Sequence, residues 1–294
     1  MSAAATLPAG IRPGGRFDGW AHQPASYVVC DVDGTLVGPR HDATDEVVAA
    51  VGRAQAAGIR VGVATGRMRD AVLPLIEQLG ARGPHVLHNG AEVRDDDRLV
   101  ASWSLTPEQV DGLLELGRSR DDTYVEVYTE TGYVVSAMDD RARVHWDILG
   151  IEPRGVIGSA ADLDGVAVPK ATLPAFDLET IPVIEAAVRE LGLLAGGAGS
   201  PRTPGLFYIN ATHPEADKGR ALARAAEHLG IGMDRTAAIG DEVNDLSMLA
   251  VAGSAIAMGQ AAATIREAAH LVVPEVDAHG VAVALDALVT WTQG

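Results

Sequence analysis

The chain has 294 residues, a formal charge of −17, 47% hydrophobic residues and one cysteine, Cys30. The length suits about two domains and the apolar share suits globular cores. The acidity argues against a nucleic-acid or anionic-membrane surface, and the lone cysteine excludes an internal disulfide or a cysteine-cluster metal site.

No stretch is long and apolar enough to span a bilayer, and the N-terminus lacks the basic-then-apolar order of a secretory signal. A cytoplasmic protein is expected. Only two of the basic residues are lysines, Lys170 and Lys218. In so arginine-biased a chain, each is a candidate for work that a planar guanidinium cannot do.

Residues 1–25 are rich in Ala, Gly and Pro and show no periodicity, which predicts a flexible tail. Tyr27-Val28-Val29-Cys30 is a continuous apolar run and reads as a buried parallel strand. Asp31 and Asp33 follow it, and Gly34-Thr35 break the strand. Thr44-Asp45-Glu46 opens a helix that stops at Gly58. Ile59 to Ala64 is a strand with Thr65-Gly66-Arg67 at its end. Met68 to Leu79 is a helix, and Val86 to His88 a short strand before Asn89-Gly90. This β-α-β-α-β order predicts a parallel sheet with right-handed crossovers.

The pattern then changes. Two short strands around Asp95-Asp96-Asp97 read as a hairpin, and Pro107 to Arg118 reads as a helix. Paired strands flank Glu130-Thr131-Gly132. The stretch 139–157 is ambiguous, 166–173 reads as a strand, 179–191 as a helix and 206–209 as a strand. The βα alternation resumes at Asp217-Lys218 and runs to a closing helix at 279–288. The expected organisation is a core in two parts, 26–103 and 206–294, with an α+β domain, 104–205, inserted between them.

Four segments fall at the carboxyl side of one sheet, where open α/β sheets bind ligands. They are Asp31/Asp33, Thr65-Gly66, the start of the helix at Lys218, and Gly240-Asp241-Glu242-Val243-Asn244-Asp245. Together they supply a carboxylate nucleophile, a carboxylate for proton transfer, another for a metal, phosphate-binding groups and an ammonium. Two close carboxylates repel, and a divalent cation would relieve them. Each segment also has an ordinary structural reading: a strand-end turn at Asp33-Gly34, a helix cap at Thr65-Gly66, a surface helix lysine at Lys218. His85 and His88, three apart on an expected strand, face opposite sides and cannot readily share a metal.

Asp31-Val32-Asp33-Gly34-Thr35-Leu36, Ala64-Thr65-Gly66-Arg67, Asp217-Lys218-Gly219 and the 240–245 segment resemble, in order, motifs I to IV of the haloacid dehalogenase (HAD) superfamily. The insertion between the second and third motifs resembles a C2-type cap. Asn89-Gly90-Ala91 and Asp277-Ala278-His279-Gly280-Val281-Ala282 are similar to the Cof-type (type IIB) sugar-phosphate phosphatases. The resemblance covers roughly residues 26–288. It implies a three-layer α/β/α, Rossmann-like core with a parallel sheet and an inserted α+β cap. It also implies a magnesium-dependent phosphatase for a small phosphorylated metabolite, a sugar or polyol phosphate.

The resemblance further implies that Asp31 attacks phosphorus and that Asp33 is general acid and base. Asp31, the Asp33 carbonyl and Asp241 would hold Mg2+. Thr65, Gly66, Lys218 and Asn244 would bind the phosphoryl group, and Asp245 would orient Lys218 or a metal-bound water. One departure is Gln260 in Met258-Gly259-Gln260-Ala261, where the family usually has Asn; the position is not a catalytic one. Arg67, Asn89 and Lys170 stay open between substrate contact and a structural place. A phosphoacceptor signalling protein and a catalytically weak binding protein are the alternative functions.

Overall fold

The structure is a computed structural model and describes residues 7–18, 20, 23–39, 42–138, 140–199 and 205–293. In chain order its elements begin with β1 (Arg12–Pro13), β2 (Tyr27–Asp31), α1 (Asp45–Ala56), β3 (Arg60–Ala64), α2 (Arg69–Leu79), β4 (His85–Leu87), β5 (Glu92–Asp95) and β6 (Arg98–Ser102). There follow α3 (Pro107–Arg118), β7 (Glu126–Thr129), β8 (Gly132–Val135), α4 (Asp140–Leu149), β9 (Lys170–Ala175), α5 (Ile181–Glu190), β10 (Leu194–Gly199) and β11 (Phe207–Thr212). The chain closes with α6 (Lys218–His228), β12 (Thr236–Gly240), α7 (Leu246–Val251), β13 (Ser254–Ala257), α8 (Ala263–Ala268), β14 (Leu271–Val272) and α9 (Gly280–Gln293). None of the described helices is long and apolar enough to cross a membrane.

The contacts divide the chain into two units. The first comprises the described residues of Met1–Gly66, Leu73–Ala101 and Asp217–Gly294, and the second Arg67–Val72 and Ser102–Ala216. The first unit carries a nine-stranded sheet in the order β1-β14-β13-β12-β2-β3-β4-β5-β6. Strands β14, β13, β12, β2, β3 and β4 are parallel. Strand β2 lies between two parallel neighbours, which explains why all five of its residues are apolar or buried.

The chain steps from β2 to β3 in one direction and from β12 to β13 in the other. Right-handed crossovers therefore put α1 and α7 on opposite faces, giving three α/β/α layers. The order reverses between β2 and β12, and open sheets place their ligand crevice at such a reversal. Helix α1 starts as its sequence dictates. Thr44 is the N-cap, its hydroxyl accepting from the Val47 amide, with Asp45 and Glu46 in the first turn.

The N-terminal segment corrects an expectation. Among its described residues, β1 pairs antiparallel with the edge strand β14. The Arg16 guanidinium donates to the carbonyls of Leu249 and Ala268. The Trp20 indole donates to Gly253 O at 3.0 Å and stacks on His270. The segment covers backbone groups that the edge of β14 would otherwise expose. The glycines read as looseness are close approaches: a Cβ on Gly14 would lie 2.4 Å from Ala269 O. The rest of the expected tail, 1–6, 19 and 21–22, lies outside the described residues.

The second unit is a five-stranded antiparallel sheet in the order β10-β11-β9-β7-β8. Its alternation is clean. Val125, Val127, Ala171, Leu173, Ile209 and Ala211 form one core with Leu113 and Leu114 of α3 and Ile184 and Val188 of α5. The alternate positions of β7 and its flank, Tyr124, Glu126 and Tyr128, are buried too. The stretch left ambiguous at 139–157 contains α4.

One boundary also shifts. Strand β11 belongs to the five-stranded sheet, so the second part of the core begins at Asp217 and not at 206. Strand β10 had no signal, because Leu194-Ala-Gly-Gly-Ala-Gly199 lacks β-branched and aromatic residues. A Cβ at Gly197 would lie 2.6 Å from the Phe207 ring, which would have to shift.

Candidate active site

Strand register assembles the site in the first unit. Asp31 pairs with Ala64, and Cys30 with Ile239. Asp31, Thr65 and Asp241 therefore leave three neighbouring strands at one level. Asp31 is buried and Asp33 is exposed. Strand β2 ends at Asp31, and the chain turns at once, with Asp33 bridging to Val37. Gly34 has φ +92°, and a Cβ there would lie 2.2 Å from Asp241 Oδ2. Only glycine lets the turn close over Asp241.

Lys218 opens α6. Asp217 is the N-cap, its Oδ1 accepting from the amides of Gly219 and Arg220 at 2.8 and 2.9 Å. The Lys218 ammonium is fully buried and donates to Asp31 Oδ1 at 2.5 Å and to Asp245 Oδ1 at 2.6 Å. Asp245 Oδ2 accepts from the amides of Asp241 and Glu242 at 2.9 and 3.0 Å. Both oxygens of Asp245 are thus engaged, which makes it the group that orients Lys218 and the 241–242 backbone. Glycine at 240 leaves room for it, since a Cβ would lie 2.5 Å from Asp245 Oδ2.

Asp241 is held at both oxygens. Thr35 donates its hydroxyl to Oδ1 at 2.9 Å, and the Gln260 amide donates to Oδ2 at 3.2 Å. Thr65 is buried at the end of β3, its amide donating to Val86 O and its carbonyl accepting from the Asn89 amide. Asn89 has φ 58°, so it does make the turn, and its Oδ1 also accepts from Asn244 Nδ2 at 3.2 Å. A Cβ on Gly66 would meet that same Asn89 oxygen at 2.9 Å. Gly66, Asn89 and Asn244 therefore form one cluster. The sequence leaves Asn89 open and places neither Thr35 nor Gln260 in the site; Thr35 is signalled by its place in the quoted motif, Gln260 only by being a departure.

The electrostatics are those of a site short of positive charge. Burial pushes the Asp31 carboxyl up to about 8; Lys218 opposes the rise, while Asp245 and Asp241 add to it. One ammonium shared by two carboxylates does not neutralise three. Burial also pushes Asp241 up to about 6, against the hydrogen bonds from Thr35 and Gln260. Burial alone would lower Lys218, but Asp31 and Asp245 outweigh it and hold the ammonium charged. Oxygens of Asp31, Asp241 and Asp245 lie within 4.8 Å of one another. A buried all-oxygen donor set with excess negative charge fits a hard divalent cation.

Two open residues lie in the second unit. Arg67 precedes α2. Lys170 is buried in β9, its ammonium 4.3 Å from the Tyr128 ring centroid, so the exposed-lysine alternative fails. Burial lowers it to about 8, and Glu126 partly restores it. Glu126 accepts from the hydroxyls of Tyr124 and Tyr128 and contacts His145 Nδ1 at 2.7 Å. His85 also keeps a structural place: its Nδ1 accepts from the Val63 amide at 3.2 Å, and burial lowers its pKa to about 4.

The sequence matches the family described as haloacid dehalogenase-like hydrolase over residues 28–285. A 5-amino-6-(5-phospho-D-ribitylamino)uracil phosphatase of Bacillus subtilis is 29% identical over 288 residues, covering 90% of this chain and 98% of the relative. Among solved structures, a haloacid dehalogenase-like hydrolase of Bacteroides thetaiotaomicron superposes with a TM-score of 0.79 at 24% identity, over 89% of this chain and 98% of the other. A structure described as an HAD subclass IIB sugar phosphatase gives a TM-score of 0.74 at 22% identity, over 89% of this chain and 98% of its own.

Proposed function

The chain belongs to the haloacid dehalogenase-like hydrolases, and from that premise we propose that it is a magnesium-dependent phosphatase. Its substrate is a small phosphorylated metabolite, a sugar or polyol phosphate, hydrolysed through an aspartyl phosphate on Asp31. The observation that carries the reading is the buried Lys218 ammonium, 2.5 Å from Asp31 and 2.6 Å from Asp245, beside Asp241. The named activities of relatives support the substrate class. One is a phosphatase of a ribitylamino-uracil phosphate, and one structural neighbour is described as a sugar phosphatase.

The Asp31 carboxylate attacks phosphorus in line, and the bond to the leaving oxygen breaks. Asp33, exposed where Asp31 is buried, gives its proton to the departing alcohol. As a carboxylate it then takes a proton from water, whose oxygen attacks phosphorus, releasing phosphate and restoring Asp31. Thr65, the Gly66 amide and Asn244 hold the phosphoryl oxygens. Lys218 offsets charge on Asp31 and on the phosphoryl group.

Asp31, the Asp33 carbonyl and Asp241 would hold Mg2+, as the family membership implies, with Asp245 orienting Lys218 and the 241–242 amides beside them. When bound, the ion would let Asp31 stay ionised beside an anionic substrate. The deciding experiment is phosphate release from a panel of phosphorylated metabolites, with Mg2+ and with EDTA. Release that needs Mg2+ and favours sugar or polyol phosphates is expected. Undiminished release in EDTA would reject the metal dependence. A long-lived phosphoprotein without turnover would favour the phosphoacceptor reading.

A further inference from the structure

Gln260 is the residue at which the chain departs from the resemblance, and it is bound on three sides. Its Nε2 donates to Gly34 O at 2.6 Å and to Asp241 Oδ2 at 3.2 Å. Its Oε1 accepts from the Val276 amide at 3.1 Å. The network assigns the ends of the amide, because only a carbonyl oxygen can accept from a backbone N–H, and the nitrogen has two hydrogens for two acceptors. The three partners lie on three separate segments: the turn after β2, the loop after β12, and the turn before α9.

We propose that Gln260 is a positioning residue for the cation site, fixing the Asp241 carboxylate against the turn that carries Asp33 and Gly34. The proposal rests on the reading above that Asp31, the Asp33 carbonyl and Asp241 hold Mg2+. Gln260 holds one of those three groups directly, the Asp241 carboxylate, and reaches a second, the Asp33 carbonyl, through the next carbonyl along the chain, that of Gly34. Thr35 holds Asp241 Oδ1 from the same turn. With Gln260 on Oδ2, each carboxylate oxygen has a donor of its own.

An exposed glutamine free in solvent would keep its rotamer entropy. Here three hydrogen bonds hold an exposed residue in one pose. Because Val276 anchors the amide oxygen, the geometry at Asp241 depends on the 275–280 turn as well. That gives Asp277-Ala278-His279-Gly280, singled out in the sequence but outside the catalytic set, a place in building the site. His279 Nδ1 lies 3.1 Å from the Thr44 hydroxyl and ties the turn to the N-cap of α1.

The test is calorimetric titration of the full-length protein with Mg2+ alone, without substrate, alongside thermal melts in EDTA. Gln260→Leu removes all three hydrogen bonds, and removing such an outer partner of a ligand is expected to weaken Mg2+ binding about tenfold or more. Val276→Pro deletes the N–H that orients the amide, at the first position of a short 3-10 turn entered from an extended Glu275, where proline is tolerated, and about a threefold loss is expected. The EDTA melts of both variants should stay close to wild type. Wild-type Mg2+ affinity in both variants, with lowered melting temperatures, would make Gln260 a structural staple and overturn the proposal. A wild-type protein that binds no Mg2+ would instead overturn the cation reading on which the proposal stands.

Discussion

Replacing Lys218 with methionine keeps the length of the side chain and deletes its charge. The wild-type ammonium is fully buried between Asp31 and Asp245 at 2.5 and 2.6 Å. Its loss strands two buried carboxylates, which costs about 3–5 kcal/mol when one partner of a buried ionic group is removed. In a melt of the first unit that is a fall of roughly 10 °C. The deficit should depend on pH, and the sign follows from protonation. Asp31 already sits at about 8, well above its unfolded value, so its proton favours the folded state. That contribution is fully present below the unfolded pKa and is lost as pH rises through the folded one. Without Lys218 the folded pKa climbs further. The stranded carboxyl is then neutral at pH 5, and the variant's deficit is smaller there than at pH 8. Denaturant unfolding of both proteins at the two pH values measures this. A deficit below about 1 kcal/mol, or one equal at both values, would refute the view that this ammonium offsets the cost of burying the Asp31 and Asp245 carboxyl groups.

Two further predictions follow from groups away from the chemistry. His85 is neutral in the folded state at about 4 against an unfolded value near 6.5, so the stability it gives is complete above pH 6.5 and lost as pH falls towards 4, by at most about 3 kcal/mol. His85→Asn keeps an acceptor for the Val63 amide and should flatten that slope in acid titrations of stability; an unchanged slope would assign it to other groups. Trp20→Ala removes the stacking on His270 and the bond to Gly253 O, and should lower stability by about 2 kcal/mol. A melt equal to wild type would return the N-terminal segment to the loose tail that its composition suggests.

The candidate site is legible in the sequence because its residue types are scarce and lie where strands stop. Lys218 stood out as one of two lysines, and Asp31 and Asp241 as carboxylates directly after apolar runs. Strand register then did the rest, since parallel neighbours with hydrophobic periodicity align their ends. What sequence could not show is which side chains meet across loops. Asn89 looked like a turn residue and is one, but its side chain also meets Asn244. Gln260 stands at a position that is not catalytic in the family, whereas its hydrogen bonds join three segments far apart in sequence. Glycine was misread in two ways. In Leu194–Gly199 it hid a strand, and at Gly14 and Gly15 it suggested disorder where it permits close backbone packing. Composition records the freedom of glycine, not the neighbour that requires it.

The central claim is that Asp31 carries the phosphoryl group. A single-turnover reaction of the Asp33→Asn protein with an activated aryl phosphate, quenched in acid and digested for mass spectrometry, tests it most directly. An aryl leaving group needs no general acid, so the first step should proceed, while the missing base at residue 33 slows water attack and lets the intermediate accumulate. The account predicts a phosphate-mass increment on the peptide bearing Asp31, absent when Asp31 is also changed to Asn. Phosphate released at the wild-type rate by the Asp31→Asn protein, or a modified residue elsewhere in the chain, would contradict it.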